Sequence, residues 1–311
     1  MYLGLLLGFI IIVVSSNVLV DAASSIAIKF NVPRSLIALT IVAFGTCAPE
    51  FAISFNSISS GNGDLALANV IGSCIINIVL VIGLAALANP IRVKSATLKK
   101  ELPILFGTTL VFCGILLMTL TKDVKVFPRL GGLVLVLLFF IFCHYIYKVV
   151  TTKSKRTNEQ PVYSVGVGAF LVLLTLVLIV FSSEVIVSSA VDIANSLGIS
   201  QKIITMFAIV IGTSFPELVM TVASAKKGEF DFALGNIIGT NIFNICIVLG
   251  LPILIYGGVE IINFNVFDVV AVLISALILY LFSKNDKKLS RLEGFMMLSI
   301  FVIYYAYIVI F

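Results

Sequence analysis

Apolar runs long enough to cross a bilayer follow one another along the chain, separated by short polar punctuation. They fall at 2–28, 34–60, 64–89, 103–121, 127–150, 162–195, 201–226, 231–257, 264–283 and 293–310. A hydrocarbon core about 30 Å thick is crossed by roughly 20 helical residues, and backbone in lipid must satisfy its hydrogen bonds internally. The pattern therefore predicts an all-α integral membrane protein of ten transmembrane helices. The one sizeable hydrophilic connection, "TTKSKRTNEQP" from Thr151 to Pro161, falls between the fifth and sixth segments. It predicts two five-span halves, 1–150 and 162–311, joined by a linker over 151–161. The opening "MYLGLLLGFIIIVV" lacks a basic start and has a counterpart inside the chain, so it reads as a retained first span rather than a signal peptide.

The halves resemble each other. A shift of 167 positions (217 − 50) places Glu50 on Glu217 and aligns Val13–Leu84 with Val180–Leu251 without a gap, with 27 of 72 positions identical. Identities gather in "GTCAPE"/"GTSFPE", in "GDLALANVIGSCIIN"/"FDFALGNIIGTNIFN" and in "VVSSNVLV"/"VFSSEVIV". Shared Leu/Val bias does not produce ungapped identity at Gly, Pro, Glu, Asp and Asn, so the chain reads as a duplication. Five spans is an odd number, so equivalent helices run in opposite directions. With both termini on one face, the opposite face collects 16 of the 20 Lys and Arg, and the terminal face holds only Lys122, Lys125, Arg129 and Lys202. The positive-inside rule then makes the linker cytoplasmic and both termini extracellular. Inverted repeats with interrupted helices mark secondary transporters, whose binding site lies at the midplane between the halves.

Composition agrees: 60% of residues are hydrophobic and 11% charged, against about 25% charged in soluble domains. The net charge of +5 sits in the connections between spans, so it reports orientation and gives no reason to expect nucleic acid. The five Cys lie in apolar runs without a CxxC pair, which predicts neither a disulfide framework nor a zinc site. A single His, no HExxH and no Ser–His pairing argue against an enzyme, an intramembrane hydrolase included. A passive cation channel is disfavoured because pore-lining rings normally come from oligomeric symmetry, whereas this chain supplies two pseudo-symmetric halves of its own.

The chemistry lies in the two mid-span Pro–Glu pairs. A carboxylate at mid-bilayer costs roughly 2.5–3.5 kcal/mol even on lenient insertion scales, and Pro removes a helix hydrogen bond. In "GTCAPE", Thr46 and Glu50 are four residues apart and share a helix face, while Pro49 has no N–H for the carbonyl of Gly45. Irregular backbone at membrane depth is tolerated where it is buried or lines a cavity. Thr213, Pro216 and Glu217 repeat the set. In the following span Asn69, Ser73 and Asn77 stand at i, i+4, i+8, and Asn236, Thr240 and Asn244 do the same in the second half. Carboxylates, hydroxyls, amide oxygens and loosened carbonyls together offer an all-oxygen cage for a hard cation such as Ca²⁺. Polar stripes also serve as glue between helices, a reading that applies best to Asn69 and Asn236 near the span starts. Asp64 and Asp231 begin spans, where an acid favours the helix dipole. Glu184 has only Asn17 as counterpart and fits a structural or a gating role, and His144 reads as packing.

At these residues the sequence resembles the cation/calcium exchanger superfamily, and within it the prokaryotic sodium/calcium exchangers. The resemblance covers the whole chain, with "GT-x-x-PE" followed 27 residues after the Glu by Asn in "GS-x-x-x-N". It implies alternating access, in which Na⁺ moving down its gradient drives Ca²⁺ the other way without ATP. Carried over by position, the ligands would be Thr46, Cys47, Glu50, Ser73 and Asn77 from the first half, and Thr213, Ser214, Glu217, Thr240 and Asn244 from the second. Backbone carbonyls of Ala43 and Val210 would complete the cage, and the first and sixth spans would slide as a gating bundle. Three positions depart from the family: Cys47 stands where Ser is usual, Thr240 where Ser is usual, and Asn244 where Asp is frequent. The expected protein is thus a Na⁺/Ca²⁺ antiporter of the cell membrane, with H⁺/Ca²⁺ antiport on the same fold as the alternative. Its partners would be Ca²⁺, Na⁺ (or H⁺) and the lipid bilayer, with no cofactor, no nucleic acid and no obligatory protein partner, functional as a monomer.

Overall fold

The computed structural model describes residues 2–122, 125–151, 160–196, 212–262 and 264–310. Its helices are α1 (Tyr2–Phe30), α2 (Arg34–Thr46), α3 (Ala48–Ser59), α4 (Gly63–Ala88), α5 (Thr97–Leu120) and α6 (Arg129–Thr151) in the first half. In the second half they are α7 (Val165–Ser196), α8 (Phe215–Lys226), α9 (Phe230–Tyr256), α10 (Val266–Lys284) and α11 (Arg291–Ile310). Among the described residues seven helices are long and apolar enough to span a membrane, and α2 with α3, bent by 49°, makes an eighth when taken as one broken span. Helix α5 starts six residues before its apolar segment (103 − 97). Its first turn, Thr97–Glu101, carries Lys99 and Lys100 and is π-helical, so the hydrophobic pattern misses it.

The interruptions follow the sequence. Pro49 and Pro216 each occupy the first turn of α3 and α8, where a missing N–H costs nothing. The residue that closes each break, Cys47 at φ −76°, ψ 1° and Ser214 at φ −85°, ψ 3°, has left helical geometry in the same way. Both short helices end in a turn through a left-handed glycine, Gly61 (φ 78°) and Gly228 (φ 76°), a conformation a Cβ opposes. Each following helix switches to a π-helical turn, Asn77–Ile82 in α4 and Asn244–Leu249 in α9. Such insertions widen the helix and re-aim side chains, often at functional positions. The starts of these elements, 48, 63, 77 and 83 against 215, 230, 244 and 250, differ by the same 167 as the sequence repeat.

Helices α4 and α9 form the centre. Of the apolar window in each, 83% of residues are buried, against 17–44% in the other five candidate spans, which face outward. Helix α9 also packs closely on α2: a Cβ at Gly239 would lie 2.5 Å from the Leu39 carbonyl oxygen, so only glycine admits this approach. Buried apolar side chains divide into two clusters. One joins α1 and α7 with the inner faces of α2 and α8, through Leu19, Ile179, Val42 and Met220; the other fills the space among α3–α6 and α8–α11. Helices α1 and α7 pack along each other and stand apart from the larger cluster.

Two two-residue antiparallel pairs depart from an all-α reading. Strand β1 (Ile91–Arg92) pairs with β4 (Lys288–Leu289), and β2 (Val126–Phe127) with β3 (Val259–Glu260). Each ties a connection of one half to a connection of the other and satisfies backbone groups just beyond helix ends. Arg34–Glu229, Lys94–Asp231 and Lys227–Asp21 (2.6 Å) add ion pairs that also cross between halves.

Candidate cation site

The broken helices and the central helices bring both repeats to one buried locus. Glu50 and Glu217 are 0% exposed, and each is held in the first turn of its helix just after a break. Glu50 lies close enough to Glu217 for their charges to interact. The hydroxyls are shared across the halves: Thr213 sits beside Glu50 and Thr46 beside Glu217. Both oxygens of both carboxylates are buried with no hydrogen-bond partner among the described residues.

The neighbouring positions share this state. Ser73 Oγ, Asn77 Oδ1, Thr213 Oγ1, Ser214 Oγ, Thr240 Oγ1 and both amide atoms of Asn244 are buried and unpaired among the described residues. Buried polar groups are ordinarily satisfied, at a cost of about 1–3 kcal/mol each when they are not. Both halves thus contribute buried oxygens without partners among the described residues, the kind of donor that a hard cation takes.

The remaining expected ligands behave differently. Thr46 Oγ1 donates to the Ala43 carbonyl at 3.3 Å, and that carbonyl also accepts from Cys47 N–H at 3.1 Å, so the Ala43 oxygen is engaged within its own helix. Cys47 is fully buried, and its thiol points at the Thr240 carbonyl, 3.9 Å away. Val210 lies outside the described residues.

The polar stripes divide into two roles. Asn69 Nδ2 donates to the Glu50 carbonyl at 3.0 Å and to Ser54 Oγ at 2.9 Å, pinning α4 onto the helix that carries the carboxylate. Asn236 repeats this with Thr221 Oγ1 at 3.2 Å. These two residues are the helix-to-helix glue foreseen for them, although their Oδ1 atoms are also buried and unpaired. Asp64 accepts from Ile262 N–H at 2.9 Å, while the cap of α4 is Asn62, whose side chain accepts from Leu65 N–H. Glu184 and His144 are exposed on α7 and α6.

Two features escaped the sequence reading. Asn241, 1% exposed, donates to the Cys74 carbonyl at 3.2 Å and accepts from Asn77 Nδ2 at 3.0 Å. The available signal was an Asn at 241 where the first half has Cys74, one more amide in an apolar span. Further, Ser183 of α7 donates to the Gly212 carbonyl at 3.0 Å, the carbonyl that Pro216 leaves without its helical donor. Its counterpart on α1, Ser16 (183 − 167), is buried with no partner among the described residues.

Known proteins share this architecture. The family model described as sodium/calcium exchanger protein matches residues 1–148 and 167–310. Inner membrane protein YrbG of Escherichia coli (strain K12) is 38% identical over 264 residues, covering 82% of this chain and 79% of that protein. The putative antiporter CaxA of Alkalimonas amylolytica is 36% identical over 308 residues, covering 96% and 95%. The solved structure of the sodium-calcium exchanger NCX_Mj soaked with 10 mM Na⁺ and no Ca²⁺ superposes with a TM-score of 0.84 at 31% identity, over 97% of both chains. A helical multi-pass membrane protein, matched along nearly its whole length in sequence and in three dimensions, this chain belongs to the sodium/calcium exchanger protein family, which comprises transporters and not enzymes.

Proposed function

We propose that the protein exchanges Ca²⁺ for Na⁺ across the cell membrane as a monomeric secondary antiporter. In this reading ten spans form two inverted five-span halves with both termini outside, and the ions bind among the twelve positions that the family resemblance implies. The observation that carries the proposal is the pair of fully buried, unpaired carboxylates, Glu50 and Glu217, ringed by unpaired oxygens from both halves. Such a shell is costly as it stands and becomes favourable once a hard cation supplies the missing partner.

Charge accounts for the exchange. The two carboxylates give the site a formal charge of −2, which one Ca²⁺ neutralises and which two monovalent cations neutralise equally. Ca²⁺ and monovalent ions thus compete for one site, the minimum that antiport requires, and each ion shifts the equilibrium between conformations only by its differential affinity for them. Helices α1 and α7 would move as the gating pair. Their separate hydrophobic cluster supports this, as does the contact of Ser183 with the carbonyl at the second break while Ser16 has none at the first.

One observation favours the proton as coupling ion. The Cys47 thiol offers sulfur where a hydroxyl oxygen would suit Na⁺, and it points at a backbone carbonyl. A proton needs no such ligand, because either carboxylate accepts it directly. The two readings separate in ⁴⁵Ca²⁺ uptake by proteoliposomes loaded with Na⁺, set against identical vesicles carrying only a pH gradient. Uptake above equilibrium driven by Na⁺ supports the exchanger proposal. Uptake driven by the pH gradient alone replaces Na⁺ with H⁺, and uptake that never exceeds equilibrium refutes antiport.

A further inference from the structure

We propose that Asn241 is a positioning residue that turns the Asn77 carbonyl oxygen toward the bound cation, and that the second half has no equivalent device. The inference rests on the cation site above and concerns a residue outside its twelve positions.

The hydrogen bonds around Asn241 have a forced direction. The Cys74 backbone carbonyl can only accept, and it receives the Asn241 side-chain N–H at 3.2 Å. The Asn241 amide oxygen therefore faces the other way, where it accepts from Asn77 Nδ2 at 3.0 Å. With its NH₂ group held there, Asn77 has its Oδ1 left to present, and that oxygen is buried and unpaired among the described residues. Each step follows from an amide carrying donors on one side and an acceptor on the other. Cys74, Asn77 and Asn241 are all at most 2% exposed, so bulk water does not compete to turn either amide.

The second half lacks the lock. The shift of 167 carries Asn77 to Asn244 and exchanges Asn241 with Cys74. Cys74 brings a thiol, directed at the Asn241 carbonyl 4.0 Å away, and no amide oxygen with which to hold Asn244. Both amide atoms of Asn244 are accordingly buried and unpaired among the described residues. The site thus contains two asparagines of identical chemistry and different presentation. Asn77 is fixed with its oxygen available, whereas Asn244 has to orient its oxygen when the ion arrives.

The test uses purified full-length protein in proteoliposomes, with the Ca²⁺ dependence of uptake measured for Asn241→Ala, Asn241→Cys and the exchange variant Cys74→Asn/Asn241→Cys. Each single variant should raise KM for Ca²⁺ about tenfold with kcat within about twofold, the signature of a lost binding contact. The exchange variant rebuilds the lock on Asn244 and should return KM to within about threefold of wild type. Because positions 74 and 241 touch, the exchange also restores their combined volume; Asn241→Leu, which fills the space without an amide, separates the two, and a KM within about threefold of wild type for it overturns the inference. Unmoved KM in both single variants overturns the inference, as does an exchange variant that misfolds or is no better than Asn241→Cys. If the single variants do not fold, the exchange variant decides alone: a KM near wild type supports the lock and a tenfold rise overturns it. Wild-type vesicles that take up no Ca²⁺ under either gradient overturn the exchange reading and this inference together, whereas active wild type with unmoved KM overturns only the inference.

Discussion

Replacing Glu50 by Gln should weaken Ca²⁺ binding and strengthen the ion-free protein at the same time. Glu50 is 0% exposed, both its oxygens lack a partner among the described residues, and Glu217 lies near it. Removing one member of a buried charge pair costs about 3–5 kcal/mol. Here the partner lost by the carboxylate is the cation, so Ca²⁺ affinity should fall by about two to three and a half powers of ten. Without ions the sign reverses, because the variant replaces a buried acid that has no partner among the described residues by a neutral amide of nearly the same shape. The amide is as unpaired as the carboxylate was, so the gain comes from the smaller cost of burying a neutral group and should be of the order of 1–3 kcal/mol. The assay is thermal unfolding in detergent, in chelator with Na⁺ replaced by a bulky organic cation, repeated with saturating Ca²⁺. Ion-free Glu50→Gln should unfold later than ion-free wild type. Added Ca²⁺ should stabilise wild type by about 2.7 kcal/mol at a hundred times its dissociation constant and leave the variant unmoved. Near-normal ⁴⁵Ca²⁺ uptake by Glu50→Gln, or earlier unfolding of its ion-free form, refutes the reasoning, and Glu217→Gln should behave alike.

Three further outcomes are expected. Cys47→Ser should strengthen Na⁺ inhibition of Ca²⁺ uptake several-fold by restoring a hydroxyl beside Thr240; unchanged inhibition places that side chain outside the ion's reach. Gly239→Ala should cost about 1–3 kcal/mol of stability through overpacking, since its Cβ would lie 2.5 Å from the Leu39 oxygen, and a melting temperature equal to wild type contradicts that close approach. Asn69→Ala leaves Ser54 and the Glu50 carbonyl without their shared donor. It should lower Ca²⁺ transport although it deletes no proposed ligand, and normal transport by a stably folded variant shows that this pin does not position Glu50.

Much of this arrangement is legible in the sequence because membrane burial makes polar residues expensive. Glu50 and Glu217 stand out from apolar surroundings, Pro49 and Pro216 mark where α2 stops and α8 starts, and the shift of 167 recurs to the residue in the starts of α3 and α8, of α4 and α9, and of their π-helical turns. Features that depend on how one half meets the other are harder to read. Strand pairs β1–β4 and β2–β3 join connections about 130 to 200 residues apart (260 − 126 and 289 − 91), and two-residue ladders leave no period to detect. The π-helical turns at Asn77 and Asn244 change hydrogen-bond spacing without changing residue type, so no composition signal announces them. Ala43 shows the same limit: the Pro49 argument suggests loosened carbonyls in that turn, yet its oxygen is taken by Cys47 N–H and the Thr46 hydroxyl, a choice made by local geometry.

A duplicated chain also offers a way to separate what holds the fold from what biases the site. Where the halves agree, as in the Asn69–Ser54 and Asn236–Thr221 pins or the Gly61 and Gly228 turns, the residues serve geometry that both halves need. Where they differ at equivalent positions, one half has been changed against a preserved frame. Two such differences are Cys47 against Ser214 and Cys74 against Asn241, and a third asymmetry is one of contact between identical residues, Ser16 having no partner among the described residues while Ser183 is engaged. The first changes a candidate ligand atom, the second changes how a ligand amide is held, and the third changes which break is tied to its packing helix. An ion site with strict two-fold symmetry would treat its two faces alike. The two substitutions make the faces unequal in candidate ligand chemistry and preorganisation, and the two serines make them unequal in helix attachment, while the carboxylates remain matched; such asymmetry can change the relative ion affinities of the two conformations, and the direction of net exchange stays with the ion gradients.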